Sequence, residues 1–121
     1  MTPTAPIPGE VLVVEDSLII ALDTEEMLRK MGVKTVRVAS GVAEALKLIE
    51  QHLPDFTLLD VNLGEETSFD IAERLLARGA PFAFTSGYGE PVAFPDQFSD
   101  ILRLRKPYSL NSLRELLTSS R

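Results

Sequence analysis

The stretch VLVVED, residues 11–16, decides the fold class. Its four consecutive apolar residues, mostly β-branched, indicate a strand buried on both faces, as in a parallel sheet with helices on either side. Ser17 then provides an N-cap, and apolar residues recur at helical spacing until Gly32 ends the pattern. The segment therefore predicts the first strand and helix of an α/β fold.

The same alternation of strand and helix continues along the chain. Strands are predicted over residues 34–39, 56–60, 82–86 and 101–105, and helices over residues 42–52, over residues 69–78 and after the N-cap Ser109. Residues 87–100 contain two glycines and two prolines, which disfavour a full-length helix there. We predict an α/β domain with a doubly wound, five-stranded parallel sheet in the flavodoxin-like order 2-1-3-4-5, with a shortened or irregular fourth helix.

Length and composition restrict the classes of function. The 121 residues suit one domain, predicted over residues 10–121 after a flexible, proline-rich leader of residues 1–9. The absence of cysteine excludes disulfides, thiolate zinc sites and thiol nucleophiles. The net charge of −6 disfavours a nucleic-acid partner. No apolar run approaches a membrane span and no signal peptide is evident, so we expect no membrane partner and a cytoplasmic protein.

Polar side chains follow the predicted strands at their carboxyl ends. They are Glu15 and Asp16 after the first strand, Asp60 at the third, Ser86 at the fourth and Lys106 after the fifth. Ligands of doubly wound sheets bind at this edge, where the strand order reverses. The order 2-1-3-4-5 makes the first and third strands neighbours, so their three carboxylates are expected to meet in one pocket.

This constellation suggests phosphoryl transfer. Three close carboxylates repel one another, so either one takes up a proton or a hard cation such as Mg²⁺ lies between them. Lys106 would supply a positive charge, and Ser86 a hydroxyl that can donate to a phosphoryl oxygen. A carboxylate can act as the nucleophile and form an aspartyl phosphate, and Asp60 is the best candidate.

Four motifs together resemble the receiver domain of bacterial two-component response regulators. They are VLVVED (residues 11–16), FTLLDVNL (residues 56–63), FTSGYGE (residues 84–90) and RKPYS (residues 105–109). The resemblance runs from about residue 10 to the C-terminus and keeps the order and spacing of the family. Each motif alone is weak, but the combination is very specific.

The resemblance implies a role for each polar residue of the predicted site. It implies a Mg²⁺ site formed by Glu15, Asp16, Asp60 and the backbone carbonyl of Asn62. Asp60 would be the phosphoacceptor, and Ser86 and Lys106 would contact the phosphoryl group. It also implies a cis peptide bond between Lys106 and Pro107, which an X-Pro link accommodates readily.

The stretch FTSGYG, residues 84–89, resembles the Phe-Ala-Thr-Gly-x-Tyr motif of an alphaproteobacterial receiver subgroup that is often single-domain. The match is partial, because Thr85 and Ser86 replace Ala and Thr, and Tyr88 follows Gly87 directly. A stand-alone receiver and a receiver cut from a longer protein are both consistent with the chain.

One position departs from the wider family. Most receivers carry Tyr or Phe three residues before the site lysine, as a switch coupled to the hydroxyl residue, whereas this chain has Arg103. We therefore regard Tyr88 and Arg103 as switch candidates that change environment when Asp60 is phosphorylated.

The first helix carries more apolar residues than one face can bury. The stripe that contains Ile20 and Thr24 is expected to face the sheet. Leu18, Ile19 and Leu22 then cannot all be buried, and exposed apolar residues beside a site often mark partner docking. By resemblance, the partner would be a histidine kinase or a histidine phosphotransfer protein. A weak homodimer is left open.

Three functions are compatible with these residues. The first is a receiver that catalyses its own phosphorylation and dephosphorylation but is mainly a signalling protein. The second is a phosphorylation-independent adaptor, or pseudo-receiver, of the same fold. The third is a Mg²⁺-dependent phosphatase for small phosphate esters, which would need a further general acid or base near Asp60.

Overall fold

The computed structural model of the chain describes residues 6–87 and 94–119. In these residues, five strands form one parallel sheet: β1 (Glu10–Val14), β2 (Thr35–Ala39), β3 (Phe56–Asp60), β4 (Phe82–Ser86) and β5 (Arg103–Arg105). The α-helices are α1 (Leu18–Lys30), α2 (Val42–Gln51), α3 (Phe69–Ala77) and α4 (Leu110–Thr118). The strand order β2-β1-β3-β4-β5 confirms the predicted doubly wound sheet.

The central strands β1, β3 and β4 are almost entirely buried because both faces of the sheet are covered. Side chains alternate between the faces along each strand. Leu12 and its neighbours on one face pack against α2 and α3. Val13 and its neighbours on the other face pack against α1 and α4. The continuous apolar run of β1 therefore fills two separate cores, as expected for a strand buried on both sides.

The connection between β4 and β5 confirms the predicted shortened fourth helix. Within its described residues it contains one 3₁₀ turn, Asp96–Phe98, whose Phe98 side chain is fully buried. Ring centroids 5.0 to 6.5 Å apart join the aromatic residues of this region: Phe69, Phe82, Phe84, Phe94 and Phe98. These rings pack against one another in the core that contains Phe82 and Phe84 of β4.

The last residues of the predicted leader pack against the domain. Pro8 is buried, and Ile7 packs against the core between the sheet, α1 and α4. The carbonyl of Gly9 accepts hydrogen bonds from the backbone N–H groups of Lys34 and Thr35, at 3.1 and 3.0 Å. Residues 7–9 therefore extend the edge at which β1 and β2 begin.

Helix α1 exposes apolar residues, as predicted. Its buried residues are Ala21, Thr24 and Leu28. The exposed fractions of the three candidate docking residues are 68% for Leu18, 82% for Ile19 and 56% for Leu22. With 13 residues, α1 is the longest helix in the described parts of the chain, and none of the described helices is long and apolar enough to cross a membrane.

Candidate functional site

The register of the sheet brings the ends of β1 and β3 together. Val14 lies beside Leu59 in the parallel ladder, so the residues that follow them, Glu15 and Asp60, are adjacent. The N–H of Glu15 donates to the carbonyl of Ala39 at 3.0 Å and continues the ladder with β2. The backbone positions of both acids are therefore set by strand pairing and not by a free loop.

The structure confirms that the three predicted carboxylates converge. One oxygen from each of Glu15, Asp16 and Asp60 lies within 4.8 Å of the other two. Glu15 and Asp60 are each only 3% exposed, whereas Asp16 faces solvent. The cluster is therefore buried on the side of Glu15 and Asp60 and open to solvent on the side of Asp16.

Lys106 neutralises part of this negative charge. Its Nζ donates to Glu15 Oε1 and to Asp60 Oδ2, both at 3.0 Å. Its backbone N–H donates to the carbonyl of Ser86 at 2.8 Å, so Ser86 and Lys106 are neighbours at the same edge. The Lys106–Pro107 bond is cis, which confirms the prediction.

The charges in the cluster shift the titration of its members. Burial, followed by the negative charge of Glu15, raises the pKa of Asp60 to about 7, although its hydrogen bond to Lys106 opposes the rise. Burial alone would lower the pKa of Lys106, but its hydrogen bonds to Glu15 and Asp60 raise that pKa overall. The site stabilises a positive charge and disfavours a second buried negative one.

The donor set suits a hard divalent cation. Three carboxylates against one ammonium leave excess negative charge, and carboxylate oxygens are the ligands that Mg²⁺ prefers. Mg²⁺ usually keeps several waters, and the exposed carboxylate of Asp16 leaves room for them. Glu15, Asp16 and Asp60 therefore fit the predicted cofactor.

A small hairpin follows β3 and borders the cluster. Asn62–Leu63 pairs antiparallel with Glu66–Thr67, and Gly64 in the turn has φ +72°, which favours glycine. A Cβ at Gly64 would lie 3.9 Å from Asp16 Oδ2, so the turn lies against the open side of the site. The hairpin fixes the backbone at Asn62, the fourth ligand predicted for the metal.

Sequence reasoning missed the pair Tyr108 and Thr24. The Tyr108 hydroxyl is hydrogen-bonded to Thr24 Oγ1 across 84 residues of chain. Burial, then the charge of Glu15, raises the pKa of Tyr108, and the hydrogen bond to Thr24 opposes this rise. Both residues line a groove of about 410 Å³ that also includes Lys106. The one signal in the sequence was a threonine within the apolar stripe of α1.

The structure describes one of the two switch candidates, Arg103. Tyr88 lies outside the described residues. The guanidinium of Arg103 lies over the ring of Phe94, 3.8 Å from its centroid, as a cation–π contact. Arg103 is thus attached to the aromatic cluster beside β4, and its role as a switch stays a prediction.

The candidate docking residues lie close to the site. Helix α1 begins at Leu18, two residues after Asp16. Leu18 and Leu22 are one helical turn apart, and Ile19 lies beside them. The exposed apolar patch of Leu18, Ile19 and Leu22 therefore borders the carboxylate cluster.

Comparisons with known proteins agree with this architecture. The family described as response regulator receiver domain matches residues 11–118. The transcriptional regulatory protein PdtaR of Mycobacterium tuberculosis is 31% identical over 112 residues, which are 90% of this chain and 55% of PdtaR. The chain therefore spans about half the length of this curated relative.

Solved structures of one protein are similar over nearly their whole length. The solution structure of SdrG from Sphingomonas melonis Fr1 is 35% identical, with a TM-score of 0.80, and the match covers 91% of this chain and 93% of SdrG. The BeF3-activated conformation of SdrG, from Pseudomonas melonis Fr1, is 34% identical, with a TM-score of 0.76, over 92% of this chain and 94% of that protein.

Proposed function

The chain belongs to the response regulator receiver domain family, and we propose that it accepts a phosphoryl group from a phosphohistidine onto Asp60 in a Mg²⁺-dependent reaction. It then signals through a partner or passes the group on, and it acts in the cytoplasm. The observation that carries this proposal is the cluster of Glu15, Asp16 and Asp60 closed by Lys106 at the carboxyl edge of the sheet.

The proposed chemistry uses Asp60 as the nucleophile. A carboxylate oxygen of Asp60 forms a bond to phosphorus while the N–P bond of the phosphohistidine breaks, and its electron pair returns to the imidazole. Lys106 supplies positive charge to the phosphoryl oxygens, and the Ser86 hydroxyl donates a hydrogen bond to one of them. Glu15, Asp16, Asp60 and the carbonyl of Asn62 would hold Mg²⁺, which supplies further positive charge.

The phosphoryl donor in this proposal is a histidine kinase or a histidine phosphotransfer protein. Its docking surface on this chain is the exposed patch of Leu18, Ile19 and Leu22, which lies next to the site. The likeness to SdrG, for which a BeF3-activated conformation has been solved, supports a response to groups of phosphoryl shape.

The decisive experiment uses a small phosphodonor and no kinase. Incubation with Mg²⁺ and acetyl phosphate is expected to add one phosphoryl group, detected as an intact-mass adduct that is lost at alkaline pH. The adduct should be absent in Asp60→Asn and with excess EDTA. It should persist in Asp70→Asn, which removes an exposed carboxylate in the first turn of α3.

The two other functions give different results in the same assay. An adaptor that works without phosphorylation would give no adduct and bind no Mg²⁺. A phosphatase would release phosphate continuously from small phosphate esters. The first result would remove the proposed role of Asp60, and the second would replace signalling by turnover of small esters as the function.

The docking surface predicts an effect that depends on the donor. The variant Leu18→Ala/Leu22→Ala is expected to slow phosphoryl transfer from the cognate phosphohistidine protein about tenfold, because exposed apolar anchors often dominate an interface. Its reaction with acetyl phosphate should not change. Leu76→Ala, which truncates an exposed leucine on α3, is the matched control. Equal slowing with both donors would show that the patch is not a docking surface.

A further inference from the structure

A hydrogen bond outside the cluster connects helix α1 with the loop that carries Lys106. The hydroxyl of Tyr108 bonds to Thr24 Oγ1, and Thr24 is 1% exposed. Tyr108 also packs against the core between the sheet, α1 and α4. Neither residue has a role in the phosphoryl transfer proposed above.

This hydrogen bond closes a ring of contacts through the site. The backbone N–H of Ser17, the N-cap of α1, donates to Glu15 Oε2 at 3.1 Å. The other oxygen of Glu15 accepts from Lys106 Nζ at 3.0 Å. Tyr108, two residues after Lys106, is hydrogen-bonded to Thr24 on α1. Helix α1 is therefore connected to the cluster at its N-cap Ser17 and, through Tyr108, again at Thr24, almost two turns later.

The position of the Lys106 ammonium depends on how the backbone around it is held, because the side chain is long and flexible. Four methylene groups separate Nζ from the backbone, and each torsion angle between them can adopt several staggered values. On the amino side, the N–H of Lys106 is fixed to the carbonyl of Ser86 at 2.8 Å. On the carboxyl side, the chain leaves the sheet toward α4, and the half-buried side chain of Tyr108 packs against the core there.

We propose that Tyr108 and Thr24 are positioning residues, whose hydrogen bond holds the loop of Lys106 so that Nζ stays between Glu15 and Asp60. The expected effect of this hydrogen bond on the rate of phosphorylation rests on the proposed function. The geometric part, the placement of the Lys106 ammonium, applies to the unphosphorylated protein as well.

The test compares four variants of the full chain. Tyr108→Phe and Thr24→Val each remove one partner of the hydrogen bond, and each is expected to slow phosphorylation by acetyl phosphate roughly three- to tenfold. The double variant should be no slower than either single variant, because both lose the same bond. Thr24→Ser keeps the hydroxyl and should react at nearly the rate of the native protein.

A matched control separates positioning from loss of stability. Ile49→Val removes one methylene from the core on the opposite face of the sheet, which destabilises the fold without touching the loop. It should leave the rate unchanged. Slowing by Ile49→Val as large as that by Tyr108→Phe, or additive effects in the double variant, would overturn the proposal.

The Lys106 ammonium provides a readout that needs no phosphorylation. In the native protein and in Ile49→Val, its two hydrogen bonds to carboxylates should slow hydrogen exchange enough for an NMR signal at Nζ. The signal should broaden or vanish in Tyr108→Phe and Thr24→Val, and its persistence in both would refute the positioning role. A native protein that shows the signal but gives no adduct would contradict the proposed function and leave this placement intact.

Discussion

Replacement of Lys106 with Met is expected to lower the free energy of unfolding by about 3 kcal/mol in metal-free protein near pH 8. The side chains of Glu15 and Asp60 are 3% and 4% exposed, and Lys106 Nζ is hydrogen-bonded to both of them. Without the ammonium, the two buried carboxyl groups either repel each other as anions or take up a proton at a pH far above the usual pKa of a carboxyl group, and both states lower the stability. Removal of one partner from a buried ionic cluster typically has a cost of this size.

The same variant should lose most of its reactivity. Lys106 supplies charge to the phosphoryl oxygens in the proposed mechanism, and loss of one such donor typically slows a reaction about 100-fold or more. Urea unfolding in EDTA and the rate of adduct formation with acetyl phosphate measure the two effects. Lys47→Met, at an exposed position on α2, is the control for loss of a lysine charge.

The two measurements separate the contribution of the Lys106 charge to stability from its contribution to the reaction. Added Mg²⁺ should restore much of the stability of Lys106→Met, because a divalent cation compensates the same carboxylates. It should not restore the rate. Native stability of Lys106→Met in EDTA would mean that Glu15 and Asp60 do not depend on the ammonium.

The fold could be predicted because each strand carries its own signal. Residues 11–14 are apolar at every position and residues 56–59 at every position but Thr57, a pattern that favours a strand covered on both faces. Once the strands are parallel and their order is 2-1-3-4-5, the acids that follow β1 and β3 must meet at one edge. The convergence of Glu15, Asp16 and Asp60 therefore follows from the strand order, which the sequence pattern predicts.

The rotation of α1 could not be predicted to within one residue. Residues 18–21 are all apolar, so helical spacing allows more than one buried face. Of the predicted stripe, Thr24 is fully buried, together with Ala21 and Leu28, whereas Ile20 is half-buried.

Contacts between distant side chains could not be predicted at all. The hydrogen bond between Thr24 and Tyr108 joins hydroxyls that no spacing rule relates. The contact of Arg103 with Phe94 is of the same kind, because no spacing rule relates these two residues. Periodicity reports which face of an element is buried, and it carries no information about which partners meet there.

Asp60 makes the stability of the metal-free protein depend on pH. Its pKa is raised from 3.8 to about 7 by burial and by the charge of Glu15. A carboxyl group of this kind stabilises the fold while it is protonated. That contribution is fully present below about pH 4, and it is lost as the pH rises through 7. The sign is set because between these pH values the folded state binds more protons than the unfolded chain.

The expected size is large for a single group. About three pH units of difference correspond to at most about 4 kcal/mol, and the ammonium of Lys106 reduces the repulsion that remains. Other carboxyl groups titrate over the same range, so the native protein is compared with Asp60→Asn in EDTA. The native protein should lose stability relative to the variant between about pH 4 and about pH 7.

Mg²⁺ should reverse this trend. A cation that binds the ionised cluster of the folded protein adds about 3 kcal/mol at a concentration roughly 100 times its Kd. It competes with protons for Asp60, so the gain should grow as the pH rises and should be much smaller in Asp60→Asn. A difference between the native protein and Asp60→Asn that is independent of both pH and Mg²⁺ would show that Asp60 is ionised without cost in the folded state. The burial of Asp60 beside Glu15 argues for the opposite: its carboxylate is destabilised when no metal is bound, and this destabilisation is what the proposed Mg²⁺ would relieve.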